Sequence, residues 1–280
     1  MTEFLVYDVF SSNAFGGNQL AIVPDATKLP EDDLQRIARE FNFSESTFIY
    51  PPETPGNRAK VRIFTPTMEI PFAGHPVIGT AVALADIGPS GDMTLELGVG
   101  PLACHATNGN ACFTTSVPLE IIAEPTLDEI SAALGLKASD IKTTVHLPQL
   151  ASVGLPFTIT ELTSRAALAS IQIDISQLRQ GAKKYPTSLD FAQFAYVRDG
   201  DTLHARMFAP LDNITEDPAT GSACAALGAL LQKLHKTDLS LAIHQGEDMG
   251  RPSLIRLKTN GPAITISGAA KCVMKGQLVY

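Results

Sequence analysis

The 280-residue sequence has no basic run anywhere, and 21 Lys plus Arg against 29 Asp plus Glu leave a formal net charge of −8. Nucleic-acid binding needs clustered cations that neutralise phosphates, so that class of partner is not expected. Long apolar runs are also missing. The longest, around Val77–Ile87 and Ala223–Leu231, fall short of the roughly 20 residues that span a bilayer, so no membrane association is expected. Cysteine is sparse: Cys104, Cys112, Cys224 and Cys272 show no C-x-x-C spacing and no metal pattern with the six histidines. Free thiols in a reducing cytoplasm are favoured over a disulfide, and no metal site is expected. The chain starts with strand-like alternation at Phe4-Leu5-Val6-Tyr7 rather than a signal peptide, which also points to the cytoplasm. With 45% hydrophobic and 18% charged residues, the composition is that of a packed globular protein, one large domain or two ordinary ones.

What is present is an internal repeat. Arg62-Ile63-Phe64-Thr65-Pro66 is followed by His75-Pro76-Val77-Ile78-Gly79-Thr80-Ala81-Val82-Ala83. Arg206-Met207-Phe208-Ala209-Pro210 is followed in the same order by Asp217-Pro218-Ala219-Thr220-Gly221-Ser222-Ala223-Cys224-Ala225. Each copy reads as strand, loop, helix. The strands, Lys60–Thr65 and Leu203–Phe208, stop at a proline. The helices are expected to start at Pro76 and Pro218, with Asp217 as an N-cap candidate. The small residues along both helices suit a central helix closely wrapped by sheet. Further strands are expected at Gln19–Val23, Ser46–Tyr50, Met93–Leu97, Ala111–Val117, Phe157–Leu162, Phe191–Val197, Ser253–Lys258 and Ala263–Ser267. Helices are expected at Glu31–Phe41, Thr126–Leu134 and Ser164–Ser170.

A helix N-terminus offers unpaired N–H groups and a partial positive charge. Two such ends aimed at one cleft would hold an anion, most simply a carboxylate, with Gly74 and Gly221 permitting close approach to the backbone. His75 and Asp217 hold equivalent places in the two motifs yet differ in type, as ligand-facing positions are free to do. His75 is suited to hydrogen bonding or proton transfer near neutral pH, Asp217 to orienting a hydroxyl or amine, with capping as the alternative for each. Glu45, within Phe41-Asn42-Phe43-Ser44-Glu45-Ser46-Thr47-Phe48, is either an ordinary exposed strand residue or a partly desolvated acid/base group.

The segments Ala14-Phe15-Gly16-Gly17-Asn18-Gln19, Ser44-Glu45-Ser46-Thr47-Phe48, Phe72-Ala73-Gly74-His75-Pro76 and Glu216-Asp217-Pro218-Ala219-Thr220-Gly221-Ser222-Ala223 resemble the phenazine-biosynthesis PhzF-like family, in order and along essentially the whole chain. The resemblance implies an α+β, diaminopimelate-epimerase-like fold of two pseudo-symmetric α/β halves, each a curled mixed sheet around a central helix. The first half would comprise residues 1–118 plus roughly 263–280 and the second residues 119–262, with the active-site cleft between them. It further implies an isomerase that needs no cofactor, often a homodimer, acting on a small carboxylate-bearing molecule. The family's best-known activity is isomerisation of trans-2,3-dihydro-3-hydroxyanthranilate. Carried over residue by residue, Glu45 is the acid/base group, and His75, Asp217 and Ser222, with backbone groups near Gly74 and Gly221, contact the substrate.

Related epimerases and proline racemases resemble this fold but use one cysteine from each half. Neither Phe72-Ala73-Gly74 nor Asp217-Pro218-Ala219-Thr220-Gly221 contains cysteine, and Val82 stands where Cys224 would need its counterpart. A two-thiol racemase is therefore excluded. An epimerase of an amino acid or related acid using other bases stays open, as does a binding protein without turnover.

Overall fold

The computed structural model describes all residues, Met1–Tyr280, as two compact units: residues 1–114 with 266–280, and residues 115–265.

The first unit contains β1 (Thr2–Val9), β2 (Asn18–Val23), α1 (Glu31–Phe41), β3 (Glu45–Tyr50), β4 (Ala59–Phe64), β5 (Glu69–Ile70), α2 (Gly74–Asp86), β6 (Gly91–Leu97), β7 (Gly100–Thr107) and β8 (Asn110–Thr115). Its sheet is mixed. β1 runs antiparallel to β2, β2 parallel to β3, and β3 antiparallel to β4, while β6, β7 and β8 form an antiparallel meander. α2 is buried from Gly74 to Leu84 and packs on β1, β2, β3 and β7. A helix apolar all round has no face to spare for water, so it occupies the core. A methyl group at Gly79 would lie 2.6 Å from Leu20 Cδ2 and 2.7 Å from Val9 Cγ2, which shows how tightly the sheet closes on this helix. α1 is different. Leu34, Ile37 and Ala38 are buried on one stripe, its first turn is Glu31-Asp32-Asp33, and it ends at Asn42 in the left-handed conformation (φ 52°). That stripe packs with Val23, Phe48 and Phe64.

Strand alternation sorts the residues of β3. Phe48 faces the α1 layer, whereas Thr47 faces α2 and accepts a 3.2 Å hydrogen bond from Thr80. Glu45 shares the parity of Thr47 and so points toward α2.

The second unit contains β9 (Glu120–Ala123), α3 (Leu127–Leu134), β10 (Gln149–Ser152), β11 (Pro156–Glu161), α4 (Arg165–Ala169), α5 (Ile175–Lys184), β12 (Gln193–Asp199), β13 (Thr202–Ala209), β14 (Ile214–Asp217), α6 (Gly221–His235), β15 (Ser240–Gln245) and β16 (Ser253–Asn260). β11 and β12 are parallel, β12 and β13 antiparallel, β13 and β15 parallel, and β15 and β16 antiparallel. α6 is buried from Ala223 to Leu231 and packs on β10, β11 and β16. α3, α4 and α5 supply Ile130, Leu134, Leu168 and Leu178 to a core shared with Phe191, Ala195 and Phe208. The C-terminal part of β17 (Ala263–Leu278) then pairs antiparallel with β1, from Val9↔Ala270 to Thr2↔Leu278, with one register shift between Val6 and Tyr7.

The repeated Arg-x-Phe-x-Pro block has a structural purpose. Arg62 forms a two-pronged pair with Glu69 on the returning strand β5 (2.8 and 2.7 Å) and another with Glu31 (2.7 and 2.8 Å), its guanidinium 5.2 Å from the Phe64 ring centre. Arg206 forms the same pair with Glu216 on β14 (both 2.8 Å), 4.8 Å from the Phe208 ring centre. Each arginine thus clamps the short strand leading to its central helix, using the planar fork that lysine lacks.

The helix starts differ from expectation. α2 begins at Gly74, with Ala73 as its extended N-cap, and Pro76 is its third residue. Proline is tolerated there because first-turn N–H groups have no partner within the helix anyway. α6 begins at Gly221, capped by Thr220, so neither Pro218 nor Asp217 starts it. Asp217 is the last residue of β14, and Pro218–Thr220 is a loop. By position in their helices, His75 therefore corresponds to Ser222, not to Asp217. Phe191, expected to open a strand, sits at φ 56° outside β12.

Candidate active site

In the first unit, the parallel pairing of β2 with β3 sets Leu20 opposite Glu45, so that Asn18 and Glu45 both emerge at the strand ends near the start of α2. Glu45 Oε2 lies 3.3 Å from Nδ1 of His75, the second residue of α2. The same nitrogen is 3.4 Å from Asn18 Nδ2. The Glu45 side chain retains 12% exposure and that of His75 only 5%. The carboxyl is thus half-sheltered and still reachable.

Burial pushes the His75 imidazole down to about 3, a backbone hydrogen bond with Gln19 offsetting only part of the effect. The ring is therefore neutral at neutral pH, and its 3.3 Å approach to Glu45 is not a pair of opposite charges. Gly74 and His75 supply first-turn N–H groups beside it.

The loop before β2 is locally constrained. The backbone N–H of Phe15 donates to the buried Asp8 carboxylate at 2.6 Å. Gly17 adopts φ 65°, and any side chain there would collide with the Val9 carbonyl oxygen. This is the physical content of the Gly16-Gly17-Asn18 motif: it delivers Asn18 to His75. Asn18 was not singled out from sequence, although its position after two glycines was a usable signal.

In the second unit, Asp217 is buried and its Oδ2 accepts a 2.5 Å hydrogen bond from the Thr220 hydroxyl. Gln245, fully buried at the end of β15, donates to the Asp217 carbonyl (2.7 Å) and to Thr220 Oγ1 (3.0 Å), and accepts from the Thr220 N–H (3.1 Å). Ser253 donates to the Pro218 carbonyl at 2.7 Å. Ser222 is half-buried in the first turn of α6, directly after Gly221. Thr220, Gln245 and Ser253 were also missed from sequence. All four cysteines are free, and burial pushes the Cys224 thiol up strongly and Cys104 to about 12, which keeps both protonated.

The family profile described as "Phenazine biosynthesis-like protein" matches residues 7–276. An uncharacterized isomerase of Mesorhizobium japonicum is 38% identical over 273 residues, covering 91% of this chain and 90% of the relative. The trans-2,3-dihydro-3-hydroxyanthranilate isomerase of Pseudomonas aeruginosa is 34% identical, covering 99% of each chain. The crystal structure of a PhzF-family protein from Bacillus anthracis superposes with a TM-score of 0.88 at 22% identity, covering 100% of this chain and 99% of that one. A probable proline racemase from Agrobacterium radiobacter shares the fold at a TM-score of 0.62 and 14% identity, covering 100% and 93%. The chain belongs to the phenazine biosynthesis-like PhzF family, and its fold is diaminopimelate-epimerase-like. Within that family it is an isomerase.

Proposed function

We propose that this isomerase shifts a proton, and with it a double bond, in a small carboxylate-bearing metabolite, using Glu45 as the acid/base group. The observation that carries the reading is the 3.3 Å approach of Glu45 Oε2 to a buried, neutral His75. A group that removes a proton and returns it elsewhere must be stable in both of its states. In the tautomer that carries its proton on Nδ1, a neutral imidazole favours the ionised carboxylate without forming a charged pair with it. His75 thereby orients Glu45 without taking a charge. Each unit offers its own substrate contacts in this reading: His75 and the helix-terminal N–H at Gly74 in the first, and Asp217, Ser222 and the N–H at Gly221 in the second.

The trans-2,3-dihydro-3-hydroxyanthranilate named for the Pseudomonas relative is the natural probe. Incubation in heavy water followed by proton NMR is expected to show conversion to a double-bond isomer. Deuterium exchange without isomerisation would point instead to an epimerase. Absence of both binding and conversion of the probe would overturn the proposal.

A further inference from the structure

The geometry points to Gln245 and Thr220 as positioning residues that fix the Asp217 carboxylate for its substrate. The inference rests on the reading that Asp217 contacts the substrate, and it adds to that reading how the carboxylate is aimed.

Asp217 lies at the end of β14, where the chain leaves the ladder for the loop Pro218–Thr220. A carboxylate in such a place would ordinarily rotate. Here the Thr220 hydroxyl donates to Oδ2 at 2.5 Å, and Thr220 is itself held in two ways. Its N–H donates to Gln245 Oε1 (3.1 Å), and its Oγ1 accepts from Gln245 Nε2 (3.0 Å). Nε2 also donates to the Asp217 carbonyl at 2.7 Å.

These contacts permit one orientation of the Gln245 amide. Turned over, its NH2 would face the Thr220 N–H and its oxygen would face the Asp217 carbonyl, placing donor against donor and acceptor against acceptor. The fixed amide in turn fixes the hydroxyl. With a proton arriving from Gln245 Nε2, the Thr220 oxygen directs its own proton to Asp217. The order is Gln245 to Thr220 to Asp217, each step buried: Gln245 at 0%, Asp217 at 5% and Thr220 at 7% exposure. Buried polar networks in which every member has a partner define one arrangement and resist others. Ser253 Oγ on the Pro218 carbonyl (2.7 Å) holds the loop between the two ends of the relay.

The test combines a substrate-free readout with a kinetic one. With selective ¹³C labelling of aspartate, the Asp217 carboxyl resonance is assigned by its loss in Asp217→Asn. It is expected to move in Thr220→Val and in Gln245→Leu and to stay in place in Thr220→Ser, which keeps the hydroxyl. With trans-2,3-dihydro-3-hydroxyanthranilate as probe, Thr220→Val is expected to lower kcat/KM about 10- to 100-fold, since small misplacements of a binding group are costly. In an Asp217→Asn background the same substitution is expected to add less than about twofold, because contacts acting through one group are not additive. An unmoved resonance in folded Thr220→Val, or full multiplicative losses in the double variant, would overturn the positioning role. Should Gln245→Leu not fold, Thr220→Val and Thr220→Ser decide the matter alone. Failure of the native enzyme to convert the probe would strike the proposed function, while the resonance would still decide the positioning.

Discussion

Glu45 and His75 lie thirty positions apart in sequence, yet Oε2 of one stands 3.3 Å from Nδ1 of the other. Three features create that approach: parallel pairing of β2 with β3, the parity that turns Glu45 toward the central helix, and an α2 that starts two residues before Pro76. The result is a partly sheltered carboxyl beside an imidazole held neutral by burial.

The neutral histidine has a consequence for acid stability. Its folded pKa, about 3, lies below the ordinary 6.5, so between those values the unfolded chain binds more protons. The contribution of His75 is fully present above about pH 6.5 and is lost as pH falls toward 3, at up to about 1.4 kcal/mol per pH unit. Urea unfolding from pH 7 to pH 4 should therefore show a shallower decline in His75→Gln than in the native protein. Parallel declines would mean that His75 does not stay neutral in the folded state.

The repeated arginines are expected to matter for stability more than an ordinary surface pair does. Arg206 is 12% exposed and Glu216 14% in their side chains. Removing the guanidinium in Arg206→Met should cost about 1–3 kcal/mol, because a largely buried carboxylate loses its partner. Arg206→Lys keeps the charge but not the fork, and should lose about 1 kcal/mol. Denaturant midpoints of the two variants check the order. Equal stability of Arg206→Met and native protein would show that the clamp contributes nothing.

Gly246 is the most constrained turn beside the Asp217 loop. It adopts φ 74°, and an added methyl would strike the Arg251 carbonyl oxygen and come within 2.8 Å of the Pro218 carbonyl oxygen. Both neighbours are backbone and cannot swing aside. Gly246→Ala should cost about 1–3 kcal/mol and disturb the segment that Gln245 and Ser253 hold. A thermal melt unchanged from native would contradict this.

Local chemistry made some elements plain in the sequence and left others hidden. α1 matches the expected Glu31–Phe41 because its apolar stripe and acidic first turn both lie within eleven residues. β4 and β13 were legible for a similar reason: proline closes each strand. The start of α6 was not, since Pro218 looks like a helix opener unless one knows that Gln245 and Ser253, far along the chain, pin Pro218–Thr220 as a loop. α5 escaped notice although Asp174 caps Ser176 and Gln177 (2.8 and 3.1 Å) and Lys183 and Lys184 close it. The far half of β17, with Lys271, Lys275 and Gly276, has little strand character of its own and is ordered by its register against β1. In the site, residue types could nominate Glu45 and His75, but neither their distance nor the neutral state of the ring exists at the level of sequence. Both follow from burial and from long-range pairing.

The most direct test of the account is the initial rate of trans-2,3-dihydro-3-hydroxyanthranilate isomerisation by Glu45→Gln against the native enzyme, with circular dichroism confirming that both are folded. Glutamine keeps the size and polarity beside His75 but cannot carry the proton, so a loss of about 10²- to 10⁴-fold is predicted. A folded Glu45→Gln that turns over within about threefold of the native rate would contradict the assignment of Glu45 as the acid/base group.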